Sequence, residues 1–237
     1  MVDAENLFFS VANKYGAGIY LNFARVVKML EKRFGPVRIL VCGFFSDENG
    51  KGLLYTIKAH LMSLPDVTVI DTRTRPDLVK EVSDRVMVEE IFTGSEGPNA
   101  QPKRYERCIF MTGDRSMLRS ALYIRDKLGV PVTIIGEEGT INRAYNNADI
   151  EVIHLDPVEN DLLVTERVDS ALHDLIQSSD ALNADNVVER FRQANPHFFI
   201  NEDSRSTFNA EDANRARCRL IRRCFIKILE DQKAGKS

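Results

Sequence analysis

The chain lacks the features that mark several common protein classes. Its four cysteines, Cys42, Cys108, Cys218 and Cys224, show no metal-ligand spacing, and two of them lie in apolar, strand-like runs. They read as reduced, buried thiols of an intracellular protein. The four histidines, His60, His154, His173 and His197, are dispersed with no pair at ligand spacing, so each reads as core edge or surface. No glycine fingerprint follows the first strand, which argues against a dinucleotide cofactor. No run is long enough to cross a bilayer, and the N-terminus has no charged-then-apolar signal pattern. The reading is therefore a soluble, cytoplasmic protein without a membrane partner. A net charge of −3 gives no whole-protein sign of nucleic-acid binding, so any basic surface must be local. No internal repeat or low-complexity tract is visible.

What is present is an alternating α/β pattern. With 43% hydrophobic residues among 237, the chain can bury a real core, as one large domain or as a domain with an appendage. The clearest stretch begins at Arg107. Cys108 to Met111 is a short apolar run without helical period, the mark of a buried parallel strand. Thr112-Gly113-Asp114 ends it. A helix follows from about Ser116, with Met117, Leu118, Ala121, Leu122, Ile124 and Leu128 apolar, and stops at Gly129. A second apolar strand, Val132 to Ile135, comes at once. This strand–helix–strand crossover puts Asp114 at the carboxyl end of a strand, the edge where open α/β sheets place their ligands.

The same pattern extends through residue 155. Val2 belongs to a first strand of almost no length before Asp3, so either that strand is very short or residues before it have been lost. Residues 20–34 predict a helix, 37–45 a strand, 53–64 a helix and 67–71 a strand. Residues 77–92 predict a helix whose apolar positions run nearly all round, which leaves its acids Asp84, Glu89 and Glu90 in need of a role. The loop at 93–105, with Lys103 and Arg104, falls on the amino-end face of the sheet and reads as solvated charge. Glu137-Glu138-Gly139 reads as a solvated turn, 141–147 as a short helix and 149–155 as the last strand. The expectation is a doubly wound, mostly parallel α/β sheet over residues 1–156. Residues 157–237 show no convincing strand and predict a helical C-terminal extension, with helices near 160–177, 185–194 and 211–231.

In such a sheet, residues just past the strand ends converge on one edge. Asp3 and Asp114 hold such positions, and Asp84 lies in the early turns of the helix after the 67–71 strand. Three carboxylates within a few ångströms cannot all stay ionised without a counter-charge. A divalent cation is the natural solution, and oxygen-only ligands favour Mg²⁺ or Mn²⁺. Such an ion suits displacement at phosphorus by an activated water. Acids past strand ends also cap helices, so spacing alone is a weak signal.

Asp3-Ala4-Glu5-Asn6, Lys80…Asp84…Glu90, and Thr112-Gly113-Asp114 before a helix resemble the NYN domain, a PIN-like nuclease family. Its members show an Asp-x-x-Asn-type first motif, a Lys-(few)-Asp-(six on)-acid second motif and a Ser-Gly-Asp-x-Asp third motif. The resemblance covers residue 1 to about residue 155, including the element order and the Asn146-Asn147-Ala148-Asp149 approach to the last strand. It implies metal-dependent RNA cleavage. Asp3, Asp84 and Asp114 would ligate Mg²⁺ or Mn²⁺, and Glu90 would stand where the family usually has Asp. Asn6 and Thr112 would orient ligands or a phosphate, with Lys80 and Ser116 beside them. Three departures stand out. Ser116 replaces the second acid of the third motif, the glycine between Lys80 and Asp84 is missing, and the first strand is short. They favour a rival reading, a non-catalytic RNA- or protein-binding module on the same fold.

The last helix is basic and amphipathic. Leu220, Ile221, Cys224, Phe225 and Ile228 share one side, and Arg215, Arg219, Arg222 and Arg223 the other; Ile226 interrupts the basic side and Arg217 points into the apolar one. Three uses are open: a helix docked on the body with a solvated arginine face, a phosphate-binding stripe for RNA, or a homo-oligomer contact through the apolar side.

Overall fold

Short apolar runs without helical period become the strands of a six-stranded parallel sheet. The computed structural model describes residues 1–16, 18–45, 53–72, 106–178, 181–200 and 209–235. The chain divides into two compact units, Met1–Phe9 with Phe23–Asp156, and Ser10–Asn22 with Pro157–Ser237. Elements are numbered β1 to β8 and α1 to α8 in chain order.

The first unit holds β1 (Val2–Asp3), β3 (Ile39–Gly43), β4 (Val67–Asp71), β5 (Cys108–Met111), β6 (Val132–Glu137) and β7 (Glu151–Leu155). Their order across the sheet is β4-β3-β1-β5-β6-β7, with every pairing parallel. This is a Rossmann-like α/β arrangement. The order runs outward from β1 in both directions, so the crevice between β1 and β5 is the switch point at which such sheets bind ligands. Although β1 has only two residues, it is locked on both sides. Val2 is opposite Val41 and Met111, and Asp3 is opposite Cys42.

Helices α1 (Ala4–Tyr15), α2 (Phe23–Phe34), α3 (Leu53–Met62), α4 (Leu118–Leu128) and α5 (Ala144–Asn147) accompany these strands. A turn of 3₁₀ helix, Arg115–Met117, leads into α4, and Gly129 closes α4 in the left-handed region at φ 68°. The core beside the β5–α4–β6 crossover contains Phe110, Met117, Ala121, Ile124, Ile134 and Tyr145, each 1% exposed or less. Burying a large apolar side chain contributes about 1.5–3 kcal/mol, so this cluster anchors β5 and with it the chain just beyond Met111. At the opposite end of the strands Arg107 and Thr133 hold the Glu151 carboxylate (2.5 and 2.6 Å), and the Thr133 hydroxyl bond, then Arg107, keep its pKa below the usual carboxylate value.

The second unit contains β2 (Tyr20–Leu21), β8 (Leu163–Val164), α6 (Glu166–Ser178), α7 (Val187–Ala194) and α8 (Ala210–Lys233). Here the structure departs from the sequence reading twice. Residues 20–34 are not one helix: Tyr20 and Leu21 pair antiparallel with Val164 and Leu163, the Asn22 amide donates to the Leu162 carbonyl at 2.7 Å, and α2 starts at Phe23. For the same reason the region beyond residue 157 is not free of strand. Two-residue strands are too short to show a period of two, so tertiary pairing alone defines them.

Helix α8 packs on α6 and α7. Its apolar side, including Leu220, Ile221, Cys224, Phe225 and Ile228, is buried inside the unit, so the face considered for a second subunit is already covered. Arg217 lies among these residues, only 6% exposed. Its guanidinium donates to the carbonyls of Lys14 (3.0 Å), Asn13 (3.1 Å) and Phe198, and it stacks 5.6 Å from the Phe198 ring centre. Asn13 and Lys14 are in the last turn of α1, whose carbonyls have no partner within the helix. A buried cation there satisfies them and complements the negative end of the helix dipole. Burial lowers the Arg217 pKa from its ordinary value.

Candidate active site at the sheet switch point

Asp3 ends β1 and stands immediately before α1. Its Oδ1 accepts the Asn6 amide at 3.0 Å, the bond by which an N-cap residue satisfies the third residue of its helix. Its Oδ2 accepts the Thr112 hydroxyl at 3.2 Å. The Thr112 oxygen in turn accepts the Asp114 amide at 3.1 Å. One hydroxyl thus joins the carboxylate beyond β1 to the backbone of the acid beyond β5. Asn6 adds a second link, because its side-chain oxygen accepts the Gly113 amide at 2.7 Å. The first and third motifs read from the sequence are therefore in direct contact.

The loop after β5 is also held from behind. Tyr145, fully buried, donates its hydroxyl to the Asp114 carbonyl, and the Asn142 amide donates to the Gly113 carbonyl at 3.0 Å. A Cβ at Gly113 would lie 2.3 Å from the Thr140 carbonyl oxygen, so only glycine fits that approach. The two acids differ sharply in environment. Asp3 is 6% exposed, while Asp114 faces solvent and its Oδ1 accepts the Ser116 amide at 3.0 Å, capping the 3₁₀ turn.

Lys80, Asp84 and Glu90 lie outside the described residues, as do the predicted 77–92 helix and 93–105 loop. Among the described residues, no three His, Cys, Asp or Glu side chains gather as they would around a metal ion. Arg215, Arg219, Arg222 and Arg223 all stand exposed on α8. Arg215 is engaged by Asp212 and, at 3.6 Å, by Glu211 on its own helix.

Three participants escape a reading of the sequence. Tyr145 supports the Asp114 backbone from a short helix with no visible periodicity. Glu5 accepts the Phe44 amide at 3.0 Å, tying the start of α1 to the end of β3. Glu137, expected in a solvated turn, is instead the last residue of β6 and 2% exposed. The strand continues through Gly136, where a Cβ would meet Ile141 at 2.7 Å. The unbroken apolar run before Gly136 was the available signal for that extension.

Searches of the whole chain against family models, curated proteins and solved structures find no match.

Proposed function

We propose that the Asp3–Asn6–Thr112–Asp114 constellation is the centre of a metal-dependent ribonuclease site. The observation that carries this reading is the double link across the switch point. Asn6 and Thr112 fix the ends of β1 and β5 so that two acids from distant sequence share one hydrogen-bonded edge. The choice of RNA and of phosphodiester hydrolysis comes from the motif resemblance, and the geometry is compatible with it.

The donor set fits a hard divalent cation. Asp3 and Asp114 offer only oxygen, and an ionised carboxylate has about four acceptor sites, so their present bonds leave capacity for an ion. Mg²⁺ commonly takes one or two carboxylates and keeps several waters. Asp3 and Asp114 would hold Mg²⁺ or Mn²⁺, with Asp84 and Glu90 the acids the sequence offers in addition. The bound ion supplies Lewis-acid stabilisation of charge at the scissile phosphate. The chain's own residues do the positioning: Asn6 and Thr112 orient the Asp3 carboxylate, and Tyr145 holds the Asp114 backbone.

A second reading has its own observation. Ser116 occupies the place of an acid, and its amide engages Asp114 Oδ1 as a cap. A site weakened in this way would bind RNA or protein without cutting. The test is cleavage of end-labelled single-stranded RNA by purified protein with Mn²⁺ or Mg²⁺, and its loss with chelator. Asp114→Asn should lower the rate at least 10–100-fold, roughly the cost of disturbing even a ligand's outer partners. Metal-independent cleavage, or an unimpaired Asn variant, sinks the catalytic reading; RNA binding without cleavage favours the second.

A further inference from the structure

The edge that holds Asp3 also carries an exposed aromatic ring. Cys42 of β3 lies opposite Asp3 in register, so Phe44, two residues further, projects from the same end of the sheet one strand away. Its ring is 52% exposed, yet its backbone is well anchored. The Phe44 amide donates to Glu5 at 3.0 Å. On one side, a Cβ at Gly43 would sit 2.7 Å from that of Ala4, so the end of β3 presses on the first turn of α1. On the other, Phe45 is fully buried, with the Lys58 ammonium 6.0 Å from its ring centre. Phe9, 45% exposed, follows Glu5 by four residues and so lies on the same face of α1, about 6 Å along the axis.

We propose that Phe44, extended by Phe9, is a stacking platform for unpaired bases of single-stranded RNA entering the Asp3–Asp114 edge. This rests on the reading of that edge as an RNA-processing site. Charge decides which part of the strand goes where. Asp3 and Glu5 make the floor beside Phe44 acidic, so phosphates are repelled there unless an ion intervenes. A base is neutral and presents a π-face, and aromatic stacking accepts any base. A protein partner burying the same two rings is the competing use.

The chain contains no tryptophan, so Phe44→Trp introduces a single fluorescent reporter that can still stack. The probes are a labelled ten-nucleotide RNA and an abasic ribose-phosphate chain of equal length, titrated with Ca²⁺ in place of Mg²⁺ or Mn²⁺ to prevent turnover. RNA should quench the introduced tryptophan, and the abasic chain should not. Phe44→Leu, with its melting temperature checked, should bind RNA about 10-fold more weakly and the abasic chain unchanged. RNA binding without quenching, or with equal affinity in Phe44→Leu, overturns the platform, as does any loss of affinity shared by the abasic chain. If quenching occurs but wild-type protein cuts no RNA with Mn²⁺, the platform stands and the catalytic reading fails. If cleavage is independent of Phe44, the reverse holds. Wild-type protein that binds no RNA overturns both.

Discussion

The side-chain oxygen of Asn6 accepts the main-chain amide of Gly113 at 2.7 Å, across 107 residues of sequence. Because Asn6 also gives its own amide to Asp3, a single residue ties the start of α1, the end of β1 and the loop after β5 into one rigid edge.

Asn6→Ala should therefore leave the Gly113 amide without its acceptor in a partly buried position. The expected loss is about 1–3 kcal/mol of stability, the usual consequence of abandoning a buried donor. Urea unfolding followed by circular dichroism measures it. A change below about 0.5 kcal/mol would mean that the amide finds water and that the link contributes little.

Arg217 and Arg222 lie on the same helix but should respond oppositely. Arg217→Met keeps the bulk yet abandons the carbonyls of Asn13, Lys14 and Phe198, and should cost about 3 kcal/mol or more. Arg222→Gln, at an exposed position, should stay within about 0.5 kcal/mol of wild type. Comparable effects from both would remove the case for Arg217 as the clasp on the end of α1.

Alkaline pH offers a separate check on the second unit. Burial, and then the neighbouring Asp169 carboxylate, push the Cys224 thiol up to about 12. In the unfolded chain the same thiol ionises near about 8.5. Only the unfolded state gains charge between these values, so the contribution of Cys224 is complete below pH ~8.5 and declines as pH rises toward 12. Urea midpoints taken from pH 8 to 11 should fall more steeply for wild type than for Cys224→Ala. Parallel curves would place the thiol in contact with water.

If RNA is the substrate, affinity should come in part from the exposed arginines of α8. Each phosphate contact contributes roughly 0.7 to the salt slope on single strands, so replacing Arg219, Arg222 and Arg223 with Gln should flatten a log-affinity against log-salt plot by about two units. Arg215→Gln should change it little, because Asp212 and Glu211 already engage that side chain. An unchanged slope in the folded triple variant would leave the stripe as ordinary solvated surface.

The sequence was most legible where local chemistry and tertiary structure agree. The β5–α4–β6 crossover is bounded by a glycine that must turn left-handed and by apolar runs of the right length, so its elements and the position of Asp114 could be read directly. The β2–β8 pair could not, since Tyr20 and Leu21 carry a helix-compatible pattern and become a strand only because Leu163 and Val164 lie beside them. Burial of Glu137 was hidden for a related reason: acids after a glycine read as a turn unless the strand is known to continue. Side-chain identity pointed to Asp3, Asn6, Thr112 and Asp114, but their bonds depend on strand order, which short β1 gave little reason to assign. The second motif, Lys80 to Glu90, lies outside the described residues.

Helix α1 starts at the acidic edge, yet its residues from Ser10 onward belong to the unit that resumes at Pro157. Gene order and structural order therefore do not coincide. A chain ended at Asp156 would keep Tyr20 and Leu21 but lose their strand partners, and would keep the last carbonyls of α1 but lose Arg217. Recombination or truncation at the apparent boundary would split a folding unit, so the two parts of this protein are constrained to be inherited, and to fold, together.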